Sequence, residues 1–354
     1  MRRKDISSWL VARVGWILSF LLGAASRIGM APHVVICDAK TASGDDLEAQ
    51  VLTEYGVEAS YTTARTESEA IEAIGDAEGV IVDSLVPMTS AVLEAAPSLS
   101  VVARAGIGVD NVDLAAAEEL GVTVLHHPTY SIDEVATHAL SLALTAVRKL
   151  PMLERDARLS ETTVGDSESI RRLSDQTFGI IGFGNIGRRF ATMIQGFGCS
   201  VLAFDPYVDE NVVRSHNVQP VSFEHVLAES DILSVHAPLT EETAGMIDAS
   251  AIASMKDEAI LVNTGRGGVV DTESVVVALE EESLGFACLD VTQPEPLDPD
   301  HRLFELDHAI ITPHMAWYSD ESRIQLRREV AADVGRTLAD AEPRNPVTTD
   351  MPWV

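Results

Sequence analysis

The chain has 354 residues, of which 46% are hydrophobic and 23% are charged, and its formal net charge at pH 7 is −30. This composition is typical of a globular protein of about two domains, and it excludes collagen-like, low-complexity and disordered chains. Such a negative surface repels phosphate backbones, which excludes nucleic acid as a partner bound through a basic face.

Lysine is scarce among the basic residues, because only Lys4, Lys40, Lys149 and Lys256 occur in a total of 25 Lys and Arg. An acidic surface that is poor in lysine stays hydrated where salt screens charges within a few ångströms. We therefore predict a halophilic protein that is cytoplasmic, with an acidic mesophilic protein as the alternative.

Three cysteines lie far apart in the sequence, at Cys37, Cys199 and Cys288, and none is part of a CxxC pair. This pattern gives neither a disulfide framework nor a zinc site, and it favours buried thiols in a reducing compartment. Histidine pairs and aspartate clusters with metal-ligand spacing are also missing, so we predict no metal.

The first thirty residues differ in charge from the rest, because residues 1–29 carry five basic residues and one acid. An apolar run over 14–25 follows the basic start and resembles part of a signal peptide. We predict that residues 1–30 are an N-terminal extension outside the fold. It could be an upstream segment before an initiating Met30, a membrane-surface helix, or a signal or anchor.

From His33 onward, apolar runs alternate with helical patterns, which predicts parallel βαβ units and an α/β fold. Continuous Val, Ile, Leu and Ala runs are typical of buried parallel strands. The predicted strands are 33–38, 79–83, 100–104, 122–125, 178–182, 200–204, 231–235, 259–263, 286–290 and 309–312. The predicted helices include 111–120, 185–197, 222–229, 271–282 and 319–339.

A long helix is predicted to begin at Ser131, because Ser131 and Glu134 have the spacing of a capping box before an apolar run to Val147. The polar residues 152–175, which follow Pro151, are expected to form a helix end, a loop and a re-entry into the fold.

A dinucleotide fingerprint follows the fifth predicted strand, where residues 178–187 read FGIIGFGNIG. In this G-x-G-x-x-G pattern, Gly182 allows a tight turn, Gly184 lets the backbone approach a pyrophosphate, and Gly187 lets helix and strand pack closely. The next strand ends in Asp205, whose carboxylate can accept hydrogen bonds from both ribose hydroxyls and would repel a 2′-phosphate. The sequence therefore predicts NAD rather than NADP.

Three further blocks follow successive strands: NTGRGGVVD at 263–271, DVTQPEP at 290–296 and TPHMAW at 312–317. They supply Arg266, Glu295 and His314 at the sheet edge where α/β folds bind ligands. Arginine can bind a carboxylate through two parallel hydrogen bonds, and histidine can give or take the proton that accompanies a hydride. Glutamate can hold the second imidazole nitrogen. Each residue alone could instead be structural, as a salt bridge, a loop acid or a cap.

In this order, the blocks resemble the D-isomer-specific 2-hydroxyacid dehydrogenase family, whose patterns N-T-x-R-G-x-x-V-D, D-V-x-x-x-E-P and T-P-H-x-A occur here. The resemblance covers about residues 33–345 and includes RAGIGVDNVD at 104–113 and HAPLT at 236–240. It implies two Rossmann-like parallel-sheet lobes, with an NAD lobe inserted into a flavodoxin-like substrate lobe. The implied boundaries are a substrate domain over 31–130, an NAD-binding domain over 131–317, and a helix and tail of the substrate domain over 318–354.

The resemblance also implies residue roles: Arg266 as the clamp on the substrate carboxylate, His314 as the acid and base, and Glu295 as the partner of His314. The implied cofactor-binding residues are Gly182, Phe183, Gly184, Asn185, Ile186, Gly187, Asp205, His236, Ala237, Pro238, Thr243, Thr264, Arg266, Asp290, His314 and Trp317. The implied substrate-binding residues are Arg104, Gly106, Ile107, Gly108, Arg266 and His314.

The expected activity is NAD-dependent interconversion of a D-2-hydroxy acid and its 2-keto acid in a homodimer, with neither nucleic acid nor membrane as a partner. His126-His127-Pro128 stands where the family often has Asn-x-Pro, and with Trp317 it is most similar to the branch of C-terminal binding proteins. One alternative is a short-form D-3-phosphoglycerate dehydrogenase, for which we expect no regulatory domain after residue 350. Another alternative is an NAD-sensing, corepressor-like interaction protein.

Overall fold

A computed structural model of the chain describes residues 31–37, 45–159 and 170–351. The predicted extension over residues 1–30 lies outside the described residues, as does most of the loop expected within 152–175. The described part contains two separate β-sheets, so the predicted α/β fold with two parallel-sheet lobes is confirmed.

The first sheet has the order β2-β1-β3-β4-β5-β13 and is parallel except for β13, which runs antiparallel to β5. Its first five strands have the flavodoxin-like order 2-1-3-4-5, as the resemblance implied. The strands are β1 (His33–Cys37), β2 (Glu58–Tyr61), β3 (Gly79–Val82), β4 (Val101–Arg104), β5 (Thr123–Leu125) and β13 (Pro346–Val347).

The second sheet has seven parallel strands in the order β12-β11-β10-β9-β6-β7-β8. The strand order reverses between β6 and β9, which is the switch point where doubly wound sheets bind ligands. The strands are β6 (Thr177–Ile181), β7 (Ser200–Phe204), β8 (Gln219–Pro220), β9 (Ile232–Val235), β10 (Ile260–Asn263), β11 (Phe286–Leu289) and β12 (Ala309–Ile311).

Helices connect these strands, and their apolar faces pack on the two sheets. In the described residues the helices are α1 (Leu47–Thr53), α2 (Glu67–Ile74), α3 (Ser90–Ala95), α4 (Leu114–Leu120), α5 (Ile132–Val147), α6 (Leu150–Leu159), α7 (Asn185–Gln195), α8 (Glu210–Ser215), α9 (Phe223–Glu229), α10 (Ala249–Ile252), α11 (Thr272–Glu280) and α12 (Asp320–Leu338). Short 3₁₀ turns lie at Leu173–Asp175, Gly267–Val269 and Arg302–Glu305.

The long helix α5 begins where it was predicted, but the predicted capping box is wrong. Ser131 precedes the helix without making a cap hydrogen bond. The Glu134 carboxylate instead accepts a hydrogen bond of 2.8 Å from the hydroxyl of Ser319, the residue that caps α12. The start of α5 is therefore joined to the start of α12.

The region after Pro151 begins with the helix α6, which ends at Leu159, and the residues after it are described again from residue 170. Lys149 has a φ of 50°, which separates α6 from α5. Pro151 lies in the first turn of α6, where a missing N–H breaks no helical hydrogen bond.

Helix α12 returns the chain to the first sheet and packs on it. Val330, Ala331 and Val334 lie in one buried cluster with Val34 and Ile36 of β1. This return puts the last described residues, including β13, at the edge of the first sheet beside β5. The domain boundaries at residues 130 and 317 stay predictions.

Candidate active site

A cleft of about 1440 Å³ lies between the two sheets and is lined by residues from both. The loops that follow β4, β6, β9, β10 and β12 line this cleft. The sequence motifs that lie far apart in the chain therefore come together there. The volume exceeds the roughly 300–1,000 Å³ typical of sites for drug-sized ligands. The cleft is therefore large enough for a dinucleotide together with a small substrate.

The three glycines of the fingerprint differ in their surroundings. A Cβ atom on Gly182, whose φ is +89°, would lie 2.7 Å from the amide nitrogen of Ala237. A Cβ on Gly187 would lie 2.2 Å from the carbonyl oxygen of Gly182, whereas a Cβ on Gly184 would have no neighbour within 4 Å. Gly182 and Gly187 thus permit close packing, and Gly184 leaves open backbone where a pyrophosphate fits.

Asp205 is held at the end of β7 by two backbone amides. Its Oδ2 accepts a hydrogen bond of 2.7 Å from Phe183 N–H, and its Oδ1 accepts one of 2.9 Å from Tyr207 N–H. A carboxylate has about four acceptor sites, so each oxygen keeps capacity for a ribose hydroxyl. The Phe183 side chain is fully buried in the core, so only its backbone is near the cleft.

The loop after β9 forms the wall beside the fingerprint. The His236 ring is bonded through Nε2 to Ser234 Oγ at 2.9 Å, and burial lowers its pKa to about 4. His236 is therefore neutral near pH 7. Thr243 Oγ1 donates a hydrogen bond of 2.6 Å to the Pro238 carbonyl, which closes the loop on itself.

His314 and Glu295 form a pair at the other side of the cleft. His314 Nδ1 lies 2.5 Å from Glu295 Oε1, and both side chains are partly exposed. Because Nδ1 is bonded to the carboxylate, Nε2 is the ring nitrogen available to a ligand. His314 has a φ of 54°, a left-handed conformation that is rare for a residue with a side chain.

Asp290 holds the loop that carries His314. Its carbonyl accepts the His314 N–H at 2.9 Å, and its carboxylate accepts the Met315 and Ala316 amides at 2.9 Å each. The side chain is 1% exposed, and its Oδ1 also accepts the Thr312 hydroxyl at 2.5 Å. These bonds compensate for the unfavourable backbone angle of His314.

Arg266 reaches across the cleft to the loop after β4. Its Nε donates a hydrogen bond of 3.0 Å to Asp110 Oδ2, and its Nη1 donates one of 2.9 Å to the Gly265 carbonyl. A Cβ on Gly108 would lie 1.8 Å from Arg266 Nη2, so a side chain at this position would displace the guanidinium from the loop.

Arg104 is a second cation in this wall of the cleft. Its side chain is buried, Nη1 donates to the Ala105 carbonyl at 3.2 Å, and Nε has no hydrogen-bond partner among the described residues. Burial lowers the pKa of Arg104, and the neighbouring charge of Arg266 lowers it further. Two guanidinium groups with an unused donor favour an anionic ligand.

Most of the predicted site residues line this one cleft. Those that line it are Arg104, Ile107, Gly108, Gly182, Gly184, Asn185, Ile186, Gly187, Asp205, His236, Ala237, Pro238, Thr243, Thr264, Arg266, Asp290, His314 and Trp317. Gly106, Phe183 and Glu295 are not among the lining residues; Gly106 supports the loop by accepting the His127 N–H at 2.8 Å, and Glu295 touches the cleft through His314.

Sequence reasoning missed several lining residues. Asp110 lies within the block RAGIGVDNVD but was not predicted as a site residue, and Tyr130, whose ring centroid lies 6.1 Å from that of Trp317, was not singled out. Residues 344–346 and Met351 also line the cleft, although nothing in the tail sequence indicates a site. The pairing of β13 with β5 and the bonds from the Arg344 and Asn345 amides to the Asp333 carboxylate bring residues 344–346 there.

Among residues 31–37, 45–159 and 170–351, no helix is both long and apolar enough to cross a membrane. In the same residues, no group of three or more His, Cys, Asp or Glu side chains could hold a metal ion.

Comparison with known proteins identifies the family. Residues 140–316 match the D-isomer specific 2-hydroxyacid dehydrogenase, NAD binding domain. The chain is 38% identical over 283 residues to the D-3-phosphoglycerate dehydrogenase of Mycobacterium bovis, covering 80% of this chain and 53% of that protein. It is 34% identical over 292 residues to the D-3-phosphoglycerate dehydrogenase of Archaeoglobus fulgidus, covering 82% and 55%. The chain thus spans about half the length of the curated relatives it matches.

Two solved structures are similar over nearly the whole chain. The TT0316 protein of Thermus thermophilus is 31% identical with a TM-score of 0.78, covering 89% of this chain and 100% of that one. A D-lactate dehydrogenase of Aquifex aeolicus, complexed with NAD and lactic acid, is 29% identical with a TM-score of 0.77, covering 87% and 96%. The matches confirm the predicted family, and the NAD binding domain matched by residues 140–316 confirms the predicted cofactor NAD. The chain belongs to the D-isomer-specific 2-hydroxyacid dehydrogenase family.

Proposed function

We propose that the protein interconverts a D-2-hydroxy acid and its 2-keto acid, with NAD(H) as the hydride carrier. The observation that carries this proposal is the pair of His314 and Glu295, which lies in the same cleft as Arg266 and the glycine fingerprint. The nicotinamide, when bound, supplies or accepts the hydride. The residues of the chain bind and orient the acid and move the proton.

We assign the proton transfer to and from the substrate oxygen to Nε2 of His314. As hydride reaches the keto carbon, the carbonyl oxygen gains negative charge, and an imidazolium donor beside it can deliver a proton. Glu295 stabilises that imidazolium through Nδ1 and holds the ring in one orientation. In the reverse direction the neutral ring accepts the hydroxyl proton.

The substrate carboxylate is assigned to Arg266 and to the loop after β4. Within the described residues, the amides of Ile107 and Gly108 donate no hydrogen bond to the rest of the chain. Two such amides beside a guanidinium form an anion-binding concavity. Asp110 occupies Nε of Arg266 and leaves Nη2, which lies against Gly108, for the ligand.

NAD is assigned to the fingerprint and Asp205. Open backbone at Gly184 accommodates the pyrophosphate at the N-terminus of α7, and the remaining acceptor sites of Asp205 bind the ribose hydroxyls. The carboxylate repels the 2′-phosphate that distinguishes NADP.

A short-form D-3-phosphoglycerate dehydrogenase is the second candidate, because the curated relatives described above carry that name. The described residues that line the cleft include three arginines, Arg104, Arg266 and Arg344, which could bind both a carboxylate and a phosphate. Asp83 and Asp110 line the same cleft, and their negative charges oppose a doubly charged phosphate, so we favour an unphosphorylated substrate.

We also propose a cytoplasmic homodimer. The three cysteines, all within the described residues, are thiols rather than disulfides, which suits a reducing compartment. Helix α6 has no buried residue in the single chain. Its apolar residues Leu150 and Leu159 are therefore 50% and 60% exposed to solvent. A second copy that packs on α5 and α6 would cover these apolar side chains.

The test is NADH oxidation by the full chain in concentrated KCl against glyoxylate, pyruvate, hydroxypyruvate and phosphohydroxypyruvate. Preferred reduction of one of the first three supports the proposal. Preference for phosphohydroxypyruvate would favour the second candidate. Saturable NADH binding without reduction of any of the four would favour the interaction-protein alternative, and light scattering of the same sample gives the oligomeric state.

A further inference from the structure

His126 lines the cleft and contacts the backbone of the loop after β4. The residue follows β5, and its side chain Nδ1 lies 2.8 Å from the carbonyl oxygen of Ile107. A carbonyl oxygen only accepts hydrogen bonds, so Nδ1 must carry the hydrogen in this contact. The contact therefore fixes the His126 tautomer as well as the direction of the Ile107 carbonyl.

The direction of that carbonyl determines the direction of the next amide. The cis peptide bonds of the described residues are the two that precede Pro294 and Pro296, so the Ile107–Gly108 bond is trans. In a trans peptide the C=O and N–H bonds point in opposite directions. The Gly108 N–H consequently points away from His126. Gly108 itself lies against Nη2 of Arg266.

The surroundings of His126 bury the ring and affect its pKa, but they do not remove the hydrogen from Nδ1. The residue is 7% exposed, and its backbone N–H donates to the Asn345 carbonyl at 3.1 Å. Burial lowers the pKa of His126, and the charge of Arg104 lowers it further, while the bond to Ile107 raises it. A protonated ring would still carry a hydrogen on Nδ1, so the contact with Ile107 does not depend on pH.

We propose that His126 is a positioning residue for the substrate carboxylate: its Nδ1–H holds the Ile107 carbonyl and thereby aims the Gly108 amide into the cleft beside Arg266. This inference rests on the proposed function, because it assumes that the loop amides bind a carboxylate. In this role His126 acts on the Ile107 carbonyl, although the residue also lines the cleft. It acts by restricting the Ile107–Gly108 peptide to the orientation that completes the anion site.

Three variants separate this role from general packing. His126→Asn keeps a side-chain N–H that can reach the same carbonyl, whereas His126→Phe keeps a ring of similar size without a donor. His127→Phe is the matched control, because His127 is 1% exposed and neither of its ring nitrogens has a hydrogen-bond partner among the described residues. His126→Leu, also without a donor, replaces the Phe variant if that variant does not fold.

The measurements are the Kd of oxamate for the NADH-bound protein, from NADH fluorescence, and the KM and kcat for the best 2-keto acid. We expect His126→Phe to weaken oxamate and raise KM about tenfold, the value of one hydrogen bond, with the Kd for NADH unchanged. His126→Asn should stay within about threefold of the unmutated protein, and His127→Phe should keep its oxamate affinity.

Equal oxamate affinity in His126→Phe and the unmutated protein would overturn the inference, as would equal losses in the Asn and Phe variants. Failure of the proposed function looks different. In that case the unmutated protein with NADH would neither reduce a 2-keto acid nor bind oxamate, and both proposals would fall together.

Discussion

Asp110 and Arg266 connect the two sheets across the cleft through a hydrogen bond of 3.0 Å between Oδ2 and Nε. The two residues are 156 positions apart in the sequence and follow strands of different sheets. The bond leaves the two Nη nitrogens on the side of the cleft, where Nη1 is already bonded to the Gly265 carbonyl. Asp110 therefore sets the direction in which the guanidinium presents its remaining donors.

Arg266→Ala should reduce kcat/KM for the 2-keto acid about 10²-fold or more, because hydrogen bonds between charged groups contribute about 1.5–3 kcal/mol each. Arg266→Lys should not restore activity, since an ammonium cannot keep the bonds to Asp110 and Gly265 and also present a donor at the position of Nη2. Steady-state kinetics with saturating NADH measures both. Arg214→Ala, which removes an exposed surface cation, is the control; recovery of activity in the Lys variant would contradict the assignment of the Arg266 guanidinium as the clamp.

Cofactor choice should depend on Asp205. Asp205→Ala removes two acceptors for ribose hydroxyls and the charge that repels a 2′-phosphate, so the ratio of kcat/KM values for NADH and NADPH should fall at least about tenfold. Asp209→Ala removes a nearby acid that does not line the cleft and should leave the ratio unchanged. Equal use of both cofactors by the unmutated protein would refute this assignment.

Continuous apolar runs predicted ten strands well, because burial on both faces leaves a strong pattern. The strands that the sequence did not predict are short or polar. β2 reads EASY and is mostly exposed, while β8 and β13 have two residues each. Their pairing depends on neighbouring strands, not on an apolar pattern of their own.

The sequence predicted those parts of the site in which the functional residues belong to a local motif. Glycines in a strand–turn–helix context and polar residues at strand ends indicate a nucleotide cleft from local sequence alone. The contact of Asp110 with Arg266 depends on how two sheets meet, which no local pattern encodes. The predicted capping box was wrong for the same reason. The hydrogen-bond partner of Glu134 is Ser319, which lies 185 residues away in the sequence.

Stability should fall on acidification because of buried neutral histidines. Burial lowers the pKa of His127 to about 3, and the charge of His126 contributes to the shift. The unfolded chain, with an ordinary pKa of about 6.5, binds a proton in this range that the folded chain does not. The unfolding free energy should therefore lose about 1.4 kcal/mol per pH unit from this residue as pH falls from about 6.5 toward 3.

His127→Phe tests this slope. The unfolding free energy of the variant minus that of the unmutated protein should rise steadily as pH decreases from about 6.5, in denaturant titrations at constant salt. His225→Phe, at an exposed position of α9, should give a curve parallel to that of the unmutated protein. Parallel curves for His127→Phe as well would show that His127 is protonated equally in both states.

Folding should also require salt, because a net charge of −30 leaves many carboxylates without a cation. At about 1 M KCl, charges interact over about 3 Å, whereas at about 0.1 M they interact over about 10 Å. The Tm should therefore drop strongly on dilution to about 0.1 M. Sucrose, which favours burial without screening charge, should not restore it fully; an unchanged Tm at about 0.1 M KCl would contradict the halophilic prediction.

The central claim is that His314 delivers the proton when a 2-keto acid is reduced. The most direct measurement is single-turnover oxidation of bound NADH by His314→Ala, with the Kd for NADH determined on the same sample. The account predicts a rate about 10²–10⁴-fold below that of the unmutated protein, the usual contribution of a general acid, with NADH binding nearly unchanged. A rate for His314→Ala close to that of the unmutated protein would contradict the assignment of His314 as the acid.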